Sequence, residues 1–430
     1  MLGRPLHYTL RCQGCGGAFE DDGFILECPT QHEPALLKTE YGHTEFEPDR
    51  CVEGMFRYRK WLPGTRTFSG VGGSVTYKSE QVNRIVGLLN VWVVFSGYWP
   101  EKGARLETTT FKELEAWSAL ARIPEQHEGV LTLASAGNTA AAFARACSLN
   151  KLPCLIIIPE TGLSNLAFPE AIDPCVKIVS LTGFTDYFEA ITLANRVSGM
   201  DGFFPGGGVK NVAKRDGLGT TMLNAVETIE RLPEYYFQAI GSGAGGIAAY
   251  DAAKRLNRDG RFGDKLPSLM LSQNLPFVPM YTSWKSSRRN LAEINNDDGK
   301  RQIQQISAQV LSNRRPAYSI RGGIFDVLTK TDGDMLIADN FETAHAKRLF
   351  EESEGIDIDP ASAVAFATLI KAARCGGIAR DAVVLLNVTG GGRHRYQRDR
   401  NLISARPALE INEKEILLDE TLERITALCL

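Results

Sequence analysis

The stretch YYFQAIGSGAGGIAAYDAAKRLN, residues 235 to 257, reads in three parts. YYFQAI has the aromatic and apolar make-up of a strand, GSGAGG is a turn, and IAAYDAAKRLN has the spacing of a helix. Strand, glycine turn and helix form the repeating unit of an α/β sheet, with a ligand held at the turn. Gly241, Gly243 and Gly246 fit G-x-G-x-x-G, which points to a dinucleotide and a nicotinamide-dependent oxidoreductase. That reading needs an acidic residue at the end of the next strand to hold a ribose. The next strand, SLMLSQN at 268–274, carries Gln273 there. A glycine turn at a helix N-terminus binds a phosphate without any ribose. The turn is therefore expected to hold a lone phosphate.

Working outward, the same unit recurs. GVLTLASAG at 129–137 leads into the helical NTAAAFARACSLN at 138–150, and VKIVSLTG at 176–183 leads into DYFEAITLANRVS at 186–198. PCLIIIPE at 153–160 is a continuous apolar run, as in a strand buried on both faces, and DAVVLLNVTGGG at 381–392 reads as a further strand. The expected class is α/β with largely parallel sheets. NLAEINNDDGKRQIQQIS, 290 to 307, is polar and reads as a helical surface excursion.

Of the 430 residues, 43% are hydrophobic and 23% charged, as in a globular enzyme. A net charge of −3 gives no reason to expect a nucleic-acid or membrane-surface partner. The longest apolar run, 85 to 99, falls short of the roughly 20 residues that span a bilayer and reads as core. MLGRPLHYTLRCQGCGG lacks the apolar centre of an export signal, and the nine cysteines are odd in number and scattered. Reduced thiols in a cytoplasm are expected. Cys12, Cys15, Cys28 and His32 have the spacing C-x2-C-x12-C-x3-H, which resembles a zinc ribbon or a module that has lost its metal.

Three further positions carry chemistry. In ETTTFKELEA, 107 to 116, Lys112 stands in the first turn of a helix, where the helix dipole disfavours a cation. Either the site is wet, or the amine is kept neutral for reaction. Asn138 in SAGN opens a helix, as an N-cap or as an amide presented to a ligand above the strand ends. Thr389 ends a strand before three glycines, with Arg393, His394 and Arg395 close behind as a cationic cluster.

A lysine, an asparagine loop, a phosphate loop and a strand-end threonine, in that order, resemble the fold-type II pyridoxal-phosphate enzymes: threonine synthase, cysteine synthase and the tryptophan synthase β chain. TTTFKELEA looks like their S-F-K-D-R-G lysine motif. NVAKRDGLGT at 211–220 and EGIDIDPASAVA at 354–365 resemble threonine-synthase segments, and so does the N-terminal Cys module. The resemblance implies two parallel-rich sheet domains. A Cys module would occupy 1–50, a larger cofactor domain 51–115 with 205–430, and a smaller domain 116–204. It implies pyridoxal 5′-phosphate, with its aldehyde on Lys112, which also serves as base. Its phosphate would lie on Gly241, Ser242, Gly243, Ala244 and Gly245, its 3-oxygen on Asn138 and its ring nitrogen on Thr389. It also implies a homo-oligomer.

The departures fall around the substrate. Glu113-Leu114-Glu115 replaces Asp-Arg-Gly, and GVGGSVTYKSE at 70–80 lacks the proline of the usual substrate loop. They fit a specialised branch, and the resemblance of the whole chain, not the departures themselves, implies a β-replacement on O-phospho-L-serine with sulfite. Threonine synthase proper, acting on O-phosphohomoserine, is the alternative. Both substrates are anions, so cations are expected among Lys210, Lys214, Arg215, Arg393 and His394. Thr108, Thr109 and Thr110 offer hydroxyls to the substrate.

Overall fold

The computed structural model describes residues 7–430. Among them the larger sheet has six strands in the order Asp334–Ala338, Ser268–Asn274, Tyr235–Ala239, Val383–Val388, Asn90–Phe95 and Val75–Lys78. All pair in parallel except the last, which is antiparallel to its neighbour. The smaller sheet has five strands, all parallel, in the order Phe203–Pro205, Val130–Ala134, Cys154–Pro159, Val176–Thr182 and Leu409–Asn412. The chain is thus α/β with two parallel-rich sheets.

The central strands explain why this works. VVLLNV and CLIIIP are buried at every position, so each must be covered on both faces, and helices supply the cover. Pro360–Arg374 packs Val364, Phe366 and Leu369 on one face of the larger sheet. Val212–Ile229 and Ala244–Asp259 cover the other face with Met222, Val226, Ile247 and Leu256. Each such side chain contributes about 1.5–3 kcal/mol when fully buried.

Two domain boundaries differ from those expected. Helix Lys112–Arg122 is continuous through residue 115 and packs against both Asn138–Asn150 and Val212–Ile229, so it joins the two domains. The C-terminal segment belongs to the smaller sheet. Leu409 and Ile411 pair beside Val179 and Leu181, and helix Asp419–Cys429 adds Ile425 to the same core. A four-residue strand after a loop carries no local sign of which sheet edge it will join.

Residues 8–41 form a three-stranded antiparallel module, ordered Ala18–Phe19, Tyr8–Cys12, Leu37–Tyr41. It is clamped to the larger domain by buried polar groups. Arg122 donates from Nε and Nη2 to both Asp21 carboxylate oxygens at 2.7 Å each. Asp216 accepts from Thr39 Oγ1 at 2.5 Å, from Tyr41 at 2.7 Å and from Arg255 at 2.6 Å. The polar excursion carries helix Asn296–Gln305, with Gly299 and Ile303 its buried positions. No helix among the described residues is long and apolar enough to cross a membrane.

Candidate active site

The strands Val130–Ala134, Tyr235–Ala239 and Val383–Val388 end at one cavity between the two sheets. Ligands in open α/β sheets bind at this end of the strands. Phe111, Lys112, Asn138, Gly241 to Gly245 and Thr389 line it. So the residues singled out at 112, 138, 241–245 and 389 lie around one space.

Each is positioned by its element. Lys112 is the first residue of its helix. The backbone before it is tied to the turn that follows strand Val383–Val388: Phe111 N–H donates to the Thr389 carbonyl at 2.8 Å, and Gly391 N–H donates to the Thr109 carbonyl at 3.0 Å. Thr109 takes φ 57°, a left-handed conformation that strains a β-branched residue three positions before the lysine.

Lys112 Nζ donates to Glu115 Oε2, and Lys214 Nζ lies 3.5 Å from the other oxygen of that carboxylate. Lys214 also sits 4.4 Å from the centre of the Phe143 ring. Burial pushes the Glu115 carboxyl up, but the two ammonium groups outweigh it and hold the carboxyl below its ordinary range. Burial, with help from Lys112, drives Lys214 below the usual lysine value. A lysine at a helix start is thus supported by a carboxylate one turn on. Glu113 is spent differently: Oε2 accepts from Thr108 N–H at 2.7 Å and from Thr108 Oγ1 at 3.0 Å.

The asparagine loop departs from the N-cap reading. Gly137 is the N-cap, at φ 148°, and Asn138 is already inside the helix. Ser135 Oγ does the capping, accepting from Gly137 N–H at 3.0 Å and Ala140 N–H at 2.8 Å. The Asn138 amide is left to face the cavity. In the glycine turn, the first helical bond is Ile247 N–H to the Gly243 carbonyl, 3.1 Å, so the N–H groups of residues 244–246 have no helical acceptor. A Cβ at Gly245 would fall 2.2 Å from Nε2 of Gln238, and one at Gly241 3.0 Å from the Val310 carbonyl oxygen. Glycine keeps that cradle open. Just past strand Val383–Val388, Thr389 Oγ1 lies 3.4 Å from Ser362 Oγ.

The expected cation cluster is not at the cavity. Lys112 is the one cationic side chain among the described residues that line it. Arg215 is 2% exposed, and its guanidinium donates to the Leu37 carbonyl in the N-terminal module. Lys210 pairs with Glu27, and His394 faces Glu351 at 3.6 Å. Arg393 lies with Thr109 in a neighbouring cavity and donates to Asn165 Oδ1 at 2.9 Å, across the two domains. Thr110 is outside the cavity lining, and its buried hydroxyl has no partner. Instead, the helices beginning at Lys112, Asn138, Tyr187, Ala244 and Pro360 all start at this cavity. Converging helix N-termini favour anions without charged side chains.

Sequence reasoning missed Tyr187, Gln238, Asn313 and Asp359, which also line the space. Burial, aided by the Glu115 charge, raises the Tyr187 phenol to about 12. Burial also raises the Asp359 carboxyl, against the pull of Ser362 and Arg393. Asp359 is the N-cap of Pro360–Arg374, accepting from Ser362 N–H at 2.7 Å. The D-P pair was the available signal for it; Tyr187 and Asn313 carry none.

Known proteins bear on this geometry. The family described as "Pyridoxal-phosphate dependent enzyme" matches residues 103–390. The cysteate synthase of Methanosarcina acetivorans is 43% identical over 414 residues, 96% of this chain and 99% of that one. That of Methanoculleus marisnigri is 45% identical over 409 residues, 95% of this chain and 94% of that one. Among solved structures, maize serine racemase matches with a TM-score of 0.55 at 16% identity, covering 76% of this chain and 91% of that one. An L-serine ammonia-lyase from Rhizomucor miehei matches with a TM-score of 0.57 at 10% identity, covering 76% and 98%. These two likenesses establish the shared fold.

Proposed function

The chain belongs to the pyridoxal-phosphate dependent enzymes, and we propose that it makes L-cysteate from O-phospho-L-serine and sulfite, releasing phosphate. One observation carries the reading: identity of 43–45% with cysteate synthases along nearly the whole length of both chains. In that reading the reaction is a step toward coenzyme M. The nine free thiols suit a reducing cytoplasm, and a homo-oligomer is expected.

The residues present fit the cofactor. The glycine cradle at 241–245, at a helix start whose first N–H groups have no helical acceptor, suits the phosphate. Lys112 offers its amine to the aldehyde, Asn138 its amide to the 3-oxygen, and Thr389 its hydroxyl to the ring nitrogen. When bound, the cofactor supplies an electron sink for the substrate's α-carbon. The remaining work belongs to the chain. Lys112 takes up the α-proton at Nζ, and Glu115 beside it steadies the ammonium that results. The helix N-terminus at Asn138 suits an anionic group of the substrate. One C–O bond breaks at the β-carbon as phosphate leaves, one C–S bond then forms there as sulfite adds, and Lys112 returns the proton to the α-carbon.

The test is product analysis on the purified protein. Cysteate and phosphate are expected from O-phosphoserine with sulfite, and little threonine from O-phosphohomoserine. Threonine alone would keep the cofactor site and overturn the substrate. The two amino-acid substrates differ by one methylene, worth only about 1–3 kcal/mol to a pocket, so both must be tried.

A further inference from the structure

The N-terminal module holds four metal-ligating side chains that the reaction does not use. Cys12, Cys15, Cys28 and His32 bring their ligand atoms within 4.8 Å of one another. Cys15 Sγ and Cys28 Sγ are 3.7 Å apart, and Cys12 Sγ and His32 Nε2 are 3.2 Å apart. A tetrahedral zinc with Zn–S bonds of about 2.3 Å has edges of roughly 3.7 Å. A disulfide would need about 2.05 Å. The four atoms therefore stand close enough together to share one ion, at spacings in the range of that tetrahedron's edges.

The surroundings are built for that role. Gly14 N–H donates to Cys12 Sγ at 3.2 Å, and Gly17 N–H to Cys15 Sγ at 3.4 Å, which favours the thiolates a metal requires. His32 Nδ1 lies 2.6 Å from the Glu33 carbonyl, so it carries the proton and leaves Nε2 free to coordinate. A Cβ at Gly14 would fall 2.8 Å from His32 Cε1, so glycine there lets the imidazole in. The module also lacks a core of its own. The buried members of its own apolar cluster are Tyr8, Leu10, Cys12, Ala35 and Leu37, joined by Val212 from the larger domain. So few apolar groups do not fold a domain without a staple.

We propose that Cys12, Cys15, Cys28 and His32 bind one structural zinc ion that fixes the N-terminal module on the Val212–Ile229 helix. All four protein ligands are present, so the site is closed and plays no part in catalysis. The module it braces holds Asp216 and Arg215 through Thr39, Tyr41 and the Leu37 carbonyl, next to Lys214 in the chain.

The experiment is elemental analysis of the purified full-length protein, with Cys28→Ala, His32→Ala, Cys51→Ala and Lys112→Ala alongside. Wild type, Cys51→Ala and Lys112→Ala are expected to carry about one zinc per chain. The Cys28 and His32 variants are expected to lose it and to melt at lower temperature. Exchange of the wild-type metal for cobalt(II) is expected to give the strong red-region bands of a tetrahedral thiolate site, which settles the case if a variant fails to fold. Sub-stoichiometric zinc with freely alkylated thiols, a Cys15–Cys28 disulfide, or iron in place of zinc would overturn the proposal. Lys112→Ala separates the outcomes: it removes the proposed catalysis and leaves the zinc.

Discussion

Lys112 raises the sharpest question at the scale of single residues, and Glu115 answers it. That carboxylate is shared between Lys112 and Lys214, and the side chains of Lys214 and Glu115 are 3% and 5% exposed. Removing one partner of a buried ion pair leaves an unpaired charge. Glu115→Gln is expected to lower unfolding stability by about 3–5 kcal/mol in urea titration, and adding Lys214→Met is expected to recover much of it. A double variant no better than the single would show that Glu115 acts in some other way. The sequence displayed Lys112, Asn138 and Thr389 because each stands where a strand meets a helix. Glu115's partner was not displayed, because Lys214 reaches it through helix packing. Arg215 looked like an anion ligand in AKRDG, yet the helix turns it away from its neighbour Lys214, into the N-terminal module.

Among the elements, those with long apolar runs were plain in the sequence: CLIIIP and VVLLNV are buried at every position, and burial of both faces allows little else. Short elements held in place by distant partners were not. Strand Leu409–Asn412 completes the smaller sheet with Ile411 fully buried beside Leu181. Ile411→Ala is expected to cost about 2–5 kcal/mol through the cavity it leaves. Amide hydrogen exchange should then quicken in Val176–Thr182 and stay unchanged in Tyr235–Ala239. Equal quickening in both sheets would mean the C-terminal segment supports the whole chain.

The whole molecule is held across its parts by buried charge. Arg122, in the helix that begins with Lys112, grips Asp21 of the N-terminal module, with side chains 1% and 0% exposed. Burial pushes the Asp21 carboxyl up, but Arg122 outweighs it and holds the folded value below normal. A lowered folded value stabilises above the ordinary carboxylate value of about 4, and that stabilisation is lost as pH falls through the folded value. Asp21→Asn is expected to destabilise by about 3–5 kcal/mol at neutral pH, and the gap from wild type should close in acid. A gap independent of pH would exclude the ion pair as its cause. Such ties span a hundred residues of chain with no periodic pattern, so the seams between the parts were not legible in the sequence.

Lys112 is the amine proposed to carry the cofactor, with Lys214 a buried neighbour on the same carboxylate. The most direct measurement is borohydride reduction of the cofactor-loaded protein, followed by digestion and mass mapping. The added pyridoxyl phosphate mass is predicted on the peptide containing Lys112, and on none in a Lys112→Ala protein. Its appearance on Lys214, or on no lysine of a yellow protein, would contradict the site described here.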